Sequence, residues 1–205
     1  MLDSQARHWI QPWLNTIARF CIRIHINANT LSVIALLVGL WAAILVADGH
    51  NIVGLALLWA SGLLDASDGT LARMTYSSPL GAILDITLDR VVEVSIIVAL
   101  AYRFPDTAWV MVVLAGTIAV AMSLFLSIGA AVANTSVKSF HYAPGLGERT
   151  EAFLCFSLMI LDPMRLVVWS WVFIGLMVIT MLQRLHHVHK ILAKDHHTIH
   201  DSWNQ

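Results

Sequence analysis

Residues 65–89 read DASDGTLARMTYSSPLGAILDITLD and place four aspartates between two long apolar runs: Asp65, Asp68, Asp85 and Asp89. A carboxylate at membrane depth costs at least about 2.5–3.5 kcal/mol, so four at one level require a compensating partner. Spacings of three and four residues put both members of each pair on one helix face. Two antiparallel neighbouring helices would therefore direct all four carboxylates to one point.

The rest of the chain predicts an all-α integral membrane protein. Of its 205 residues, 58% are hydrophobic and 12% charged, whereas soluble domains have roughly 45–50% and 25%. Apolar runs of about 20 residues indicate helices that cross a bilayer. We expect six transmembrane helices within a single domain spanning 1–205. Their expected limits are 30–47, 51–73, 80–101, 107–132, 148–162 and 164–184.

The segments on either side of this six-helix core, 28–185, are more polar. In residues 1–27, apolar side chains recur every three or four positions among arginines, which predicts an N-terminal amphipathic juxtamembrane helix lying on the membrane surface. Residues 186–205 form a polar, His-rich tail. Cys21 and Cys155 lie far apart in apolar stretches, which favours buried free thiols over a disulfide.

The cationic residues indicate the orientation in the membrane. With a cytoplasmic N-terminus, ten of the twelve lysines and arginines lie on the cytoplasmic side and only Arg103 and Arg165 lie opposite. Because Lys and Arg accumulate in cytoplasmic loops, both termini and the aspartate cluster are expected at the cytoplasmic face of a cytoplasmic or inner membrane. The net charge of -1 leaves no basic surface for nucleic acid, so no such partner is expected.

The clustered carboxylates predict a divalent metal site. Oxygen ligands without nearby His or Cys favour Mg²⁺ or Mn²⁺ over zinc, and Arg73, counted as the single nearby cation, cannot neutralise four anions. Gly69 and Gly81 lie on the aspartate faces, where a missing Cβ permits either close ligand approach or close helix packing. Arg73 either binds a phosphate or marks the cytoplasmic helix end. Aspartates that simply face cytosolic water are the structural alternative.

The spacing of these residues resembles a known family signature. DxxDGxxAR over 65–73 followed by GxxxDxxxD over 81–89 is similar to the motif of the CDP-alcohol phosphotransferases, also named CDP-alcohol phosphatidyltransferases. NTLS over 29–32 with Gly39 is similar to the family's first-helix pattern, although Ala28 replaces its proline. Seven residues separate the two motif halves, one fewer than is usual in the family. We expect the shorter loop to alter contacts between the loop and the substrate, but not to rotate the aspartates away from their helix faces.

This resemblance implies a phospholipid-synthesis transferase that moves a phosphatidyl group from a CDP-alcohol, commonly CDP-diacylglycerol, to a hydroxyl acceptor and releases CMP. It implies a homodimer and a two-metal site with Mg²⁺ or Mn²⁺, in which Asp89 is also the catalytic base. The implied metal ligands are Asp65, Asp68, Asp85 and Asp89. The implied nucleotide and diphosphate contacts are Asp65, Asp68, Gly69, Ala72, Arg73, Gly81, Asn29 and Ser32.

Three cations are candidates for binding a phosphorylated acceptor: Lys138, Arg149 and Arg184. They tilt the expected acceptor slightly toward glycerol 3-phosphate or an inositol phosphate, although membrane anchoring also explains cationic loops. A small divalent-cation transporter that uses the same aspartates is the alternative function. Transport predicts carboxylates near the bilayer midplane and inverted repeats, neither of which the sequence shows.

Overall fold

The structure, a computed structural model, describes the backbone of residues 2–133 and 149–203 and the side chains of 10–131 and 150–190. Its seven α-helices are α1 (Leu2–Arg23), α2 (Ala28–Ala47), α3 (Asn51–Met74), α4 (Pro79–Arg103), α5 (Ala108–Ala133), α6 (Arg149–Leu161) and α7 (Leu166–Trp203). Short 3₁₀ turns precede α5 and α7. The described residues contain no strand, which confirms the all-α prediction.

Four segments are long and apolar enough to cross a membrane: Ala28–Ala47, Asn51–Met74, Pro105–Ala131 and Pro163–Lys190. They confirm the prediction of an integral membrane protein. Helix α4 is long enough but carries four charged residues in its first four turns, Asp85, Asp89, Arg90 and Glu93. Helix α6 has only 13 described residues. The count of six spans therefore remains a prediction.

Polar caps set the start of the two helices that frame the aspartates. The Asn27 side chain accepts a hydrogen bond from the Thr30 amide at 2.8 Å at the start of α2. The Ser78 hydroxyl accepts one from the Gly81 amide at 3.0 Å at the start of α4, and Pro79 follows it at the first helical position. Such caps satisfy amides that lack intrahelical partners. They fix where α2 and α4 begin.

Helices α2, α3 and α4 pack closely around a small residue. A Cβ on Gly39 of α2 would lie 2.6 Å from a methyl carbon of Val92 in α4 and 2.9 Å from the Ser61 hydroxyl of α3. Both distances are shorter than ordinary van der Waals contact. The absent side chain therefore lets the three helices approach one another.

Polar side chains connect the helix ends remote from the aspartates. Arg103 of α4 donates to the Val46 carbonyl of α2 at 3.2 Å and contacts the Asn51 side chain of α3. The Asn51 amide in turn donates to the Ile160 carbonyl of α6 at 2.8 Å. These partly buried hydrogen bonds join four helices at one end of the bundle.

The N-terminal and C-terminal helices differ in how they relate to this bundle. Helix α1 buries Ala18 and Cys21 against Leu31 of α2 and Leu71 of α3. Cys21 and Cys155 are both buried and free, as expected. Helix α7 continues through the predicted His-rich tail as far as Trp203, so the polar residues after 185 extend the last helix.

Replacing Gly39 with alanine tests the close packing of α2. We expect Gly39→Ala to lower stability by about 1–3 kcal/mol, because the added methyl must displace the branched side chain of Val92. The matched control is Gly175→Ala, since an added Cβ there meets no described atom within 4 Å. Thermal unfolding in detergent measures both variants. Equal midpoints for the two variants would contradict the packing argument.

Candidate active site

Three carboxylates converge where α3 approaches α4. One oxygen each of Asp65, Asp68 and Asp85 lies within 4.8 Å of the other two. Asp65 and Asp68 are buried, with 6% and 3% of their surfaces exposed, and Asp85 is partly buried. Carboxylates this close repel one another strongly away from bulk water. An all-oxygen donor set of this kind fits Mg²⁺ or Mn²⁺.

The cluster lies in the C-terminal half of α3 and the N-terminal half of α4. Asp68 precedes the last residue of α3 by six positions, and Asp85 follows the first residue of α4 by six positions. Six residues correspond to about 9 Å along an α-helix. The location of the carboxylates toward one face of the membrane stays a prediction.

Helix α2 contributes a direct contact to the cluster. The Ser32 hydroxyl donates to Oδ2 of Asp68 within a buried environment. A residue that hydrogen-bonds to a metal-binding side chain holds that side chain in one orientation and contributes to the affinity for the metal. Ser32 was expected near the nucleotide, and the structure places it directly behind one expected metal ligand.

The fourth aspartate has a different environment. Asp89 lies one turn after Asp85, but it is outside the group of three, and Nη2 of Arg90 lies 2.7 Å from its Oδ2. The same nitrogen of Arg90 lies 2.6 Å from Oε1 of Glu93. The structure thus separates three clustered carboxylates from one that is ion-paired. The roles of Asp89 as base and metal ligand remain predictions.

Arg90 and Glu93 are residues that the sequence argument missed. Counting Arg73 as the single nearby cation is wrong, because Arg90 lies beside Asp89 and pairs with it. Glu93 is a fifth acidic residue, one turn beyond Asp89 in α4, and is 3% exposed. The signal was present in the sequence, since Arg90 and Glu93 are three positions apart on one helix, a spacing at which side chains meet.

A cavity of about 180 Å³ lies beside the carboxylates, between the start of α2, the end of α3 and the start of α4. Its wall includes seven of the eight residues expected to contact the nucleotide: Asn29, Ser32, Asp68, Gly69, Ala72, Arg73 and Gly81. Asp65 is the exception, and Asp85 joins the wall. The structure therefore gathers residues from three helices, far apart in sequence, around one space.

The two glycines of the motif differ in their surroundings. A Cβ on Gly81 would lie 3.1 Å from Oδ1 of Asn29 and 3.2 Å from the Ser78 hydroxyl, so the start of α4 packs closely against α2. A Cβ on Gly69 would lie 3.6 Å from Nη1 of Arg73, an ordinary contact. Close helix packing therefore explains why position 81 is a glycine. At Gly69, the missing side chain leaves the backbone accessible from the cavity, where a ligand would approach.

The cationic residues that are candidates for phosphate binding do not form a cluster among the described residues, as the aspartates do. Arg73 lines the cavity, and its Nη2 donates to the Thr70 hydroxyl at 2.9 Å. The guanidinium carbon of Arg184 lies 4.9 Å from the centre of the Phe125 ring, a cation–π contact between α7 and α5. Lys138 and the side chain of Arg149 lie outside the described residues, so an acceptor pocket built from these residues stays a prediction.

Sequence comparisons give independent information on this site. Residues 25–188 match the family described as CDP-alcohol phosphatidyltransferase. The chain is 29% identical over 175 residues to the inner membrane protein YnjF of Escherichia coli K12, covering 80% of this chain and 83% of the relative. It is 32% identical over 153 residues to the archaetidylinositol phosphate synthase of Methanothermobacter thermautotrophicus, covering 74% and 73%.

The fold is shared with a solved enzyme. The Mycobacterium tuberculosis phosphatidylinositol phosphate synthase PgsA1 with CDP-DAG bound superposes with a TM-score of 0.71 at 22% identity, covering 85% of this chain and 92% of that one. Its complex with manganese and citrate gives a TM-score of 0.69. With a family match over residues 25–188 added to the motif and the carboxylate cluster, the chain belongs to the CDP-alcohol phosphatidyltransferase family, which transfers a phosphatidyl group in phospholipid synthesis.

Proposed function

We propose that this chain transfers a phosphatidyl group from CDP-diacylglycerol to a phosphorylated polyol and releases CMP in a metal-dependent reaction. The observation that carries this proposal is the meeting of Asp65, Asp68 and Asp85 within 4.8 Å beside a cavity lined by the family's nucleotide pattern. The donor is proposed because the structural neighbour was solved with CDP-DAG bound and because α2 and α3, two of the helices that frame the cavity, are apolar enough to cross a membrane.

Different residues of the cavity are proposed to bind different parts of the donor. Asp65, Asp68 and Asp85 would hold Mg²⁺ or Mn²⁺, which when bound offsets negative charge on the diphosphate and on the leaving CMP. Arg73 supplies a fixed cation on the same cavity wall and suits a phosphate oxygen. Gly69, Ala72 and Gly81 have small side chains or none, so the donor could approach the backbone at these three positions. Binding of a second metal ion, with Asp89 as a ligand, is a prediction from the family resemblance.

Asp89 is proposed to accept the proton of the acceptor hydroxyl. Its place on α4, one turn beyond Asp85, puts it near the metal ligands but outside the group of three. A carboxylate within hydrogen-bond reach of a hydroxyl can act as a general base.

For the acceptor we propose an inositol phosphate ahead of glycerol 3-phosphate. The support is that two compared proteins carry inositol phosphate products in their names, the archaetidylinositol phosphate synthase and the phosphatidylinositol phosphate synthase. Lys138, Arg149 and Arg184 are proposed to bind the acceptor's phosphate, since cationic side chains recognise phosphate by charge and hydrogen bonding.

The proposed membrane arrangement has six crossing helices, α2 to α7, with α1 at the interface and both termini in the cytoplasm. The support is the asymmetry of ten cations against two and the inner membrane assignment in the name of the Escherichia coli relative. The site would then face the cytoplasm within a single domain. A homodimer is proposed on the family resemblance. The alternative of a cation transporter is weakened because residues 25–188 match a family of transferases.

The direct test is CMP release by the purified protein in detergent. We expect Mg²⁺- or Mn²⁺-dependent CMP release from CDP-diacylglycerol with an inositol phosphate, and little with serine or unphosphorylated inositol. Glycerol 3-phosphate is the matched comparison because it carries a phosphate but lacks the inositol ring. It therefore tests which of the two groups the protein recognises. CMP release with serine alone would refute the acceptor proposal. No CMP from folded protein with any acceptor would refute the proposed reaction.

Neutralising Asp89 separates catalysis from binding. We expect Asp89→Asn to lower kcat by about 10²–10⁴-fold, the usual contribution of a general base, with little change in CDP affinity. The control is Asp106→Asn, since Asp106 is exposed in the turn before α5 at the opposite end of the bundle. Turnover and CDP binding are measured on each variant. Full turnover by Asp89→Asn would remove the residue from the proposed role.

A further inference from the structure

A buried network of charges lies in α4 behind the proposed base. Nη2 of Arg90 lies 2.7 Å from Oδ2 of Asp89 and 2.6 Å from Oε1 of Glu93. The Glu93 side chain is 3% exposed and that of Arg90 is 29% exposed. Glu93 lies one turn beyond Asp89, away from the helix start. No contact in the reaction proposed above uses Arg90 or Glu93.

We propose that Arg90 and Glu93 are positioning residues that fix the orientation of the Asp89 carboxylate for proton transfer from the acceptor. This inference rests on the role proposed above for Asp89. It adds a function to two residues that lie outside the cavity wall.

Helix geometry explains why two residues are needed. Consecutive residues on an α-helix point about 100° apart and do not face each other, so Arg90 reaches Asp89 only with its side chain turned back across the helix surface. Glu93 lies three positions further on, where side chains do meet. By binding the guanidinium, Glu93 holds Arg90 in the conformation that contacts Asp89.

Nη2 of Arg90 contacts both Asp89 and Glu93, which fixes the orientation of the Asp89 carboxylate. A terminal guanidinium nitrogen carries two N–H groups in one plane, and Nη2 is within hydrogen-bond distance of a carboxylate oxygen on each side. Contact with Oδ2 restricts rotation of the Asp89 carboxylate, which also sets the direction of its other oxygen. A base held in this way satisfies the geometric demand that proton transfer places on it.

The surroundings strengthen these contacts. Arg90 also borders a mainly apolar groove of about 790 Å³ between α2 and α4, whose wall includes Leu40, Ile44 and Val94. Charge-assisted hydrogen bonds are stronger where water is scarce. Asp89 and Glu93, four positions apart, would repel each other on one helix face, and Arg90 between them converts this repulsion into two attractive contacts.

The test uses three variants of the full chain in detergent: Arg90→Gln, Glu93→Gln and Glu93→Ala. The assay is CMP release from CDP-diacylglycerol with whichever of inositol phosphate and glycerol 3-phosphate the wild type uses. We expect Arg90→Gln to lower kcat about a hundredfold, the effect of a misplaced reacting group, with both KM values and CDP affinity within about twofold of wild type. Glu93→Ala should lower kcat about tenfold. Glu93→Gln should restore most of that loss, because its amide oxygen still accepts from Arg90.

A structural role and a positioning role give different results. Arg165→Gln is the matched control, because Arg165 forms an exposed ion pair with Asp162 at 3.7 Å, and it should leave every measurement unchanged. Parallel losses of kcat, CDP affinity and thermal midpoint in Arg90→Gln would overturn the inference, as would wild-type kcat. Equal kcat in Glu93→Gln and Glu93→Ala would also overturn it. If Arg90→Gln fails to fold, the two Glu93 variants decide.

These results are distinguishable from a failure of the proposed function. A folded wild type that releases no CMP with either acceptor would overturn the proposed reaction and this inference together. Wild-type CMP release with unchanged kcat in all three variants would overturn only the positioning roles. Wild-type CMP release with full activity in Asp89→Asn would show that the base is another group, and the positioning roles would fall with it.

Discussion

The mutual repulsion of three carboxylates governs the rest of this structure. Asp65, Asp68 and Asp85 lie within 4.8 Å of one another, and the first two are buried in α3, which is apolar enough to cross a membrane. Water cannot screen them fully there, so the arrangement requires compensation by a cation or a proton. A divalent metal satisfies this requirement, and it also offers what a diphosphate donor needs. The same feature therefore links the stability of the site to its chemistry.

The packing of α2, α3 and α4 brings the carboxylates together and leaves a cavity beside them. Gly39 lets the three helices approach, and Ser32 orients Asp68 from α2. At the remote end, Arg103 joins α4 to α2 and α3. Charge is then balanced on two sides, by Arg73 at the cavity wall and by Arg90 within α4. Arg90 pairs with Asp89 and Glu93, whereas Arg73 donates to the Thr70 hydroxyl.

The sequence was sufficient for those features that depend on spacing. The periodicity of the aspartates predicted their shared faces, and apolar length predicted the four helices that meet the criterion for a membrane span. Features that depend on three-dimensional contacts were missed or left open. Arg90 was counted only as a cytoplasmic charge, although a side-chain conformation directs it to Asp89 and Glu93. The reason for Gly81 was undecidable before Asn29 was seen beside it.

The most direct test of the account is Mn²⁺ binding in the absence of substrate, measured by electron paramagnetic resonance on the purified protein. The account predicts that wild type binds Mn²⁺ and that Asp85→Asn weakens binding at least about tenfold, because one of three carboxylate ligands is lost. Asp106→Asn, remote from the cluster, should bind as wild type does. Equal Mn²⁺ affinity in wild type and Asp85→Asn would contradict the metal site, and with it the proposed basis of catalysis.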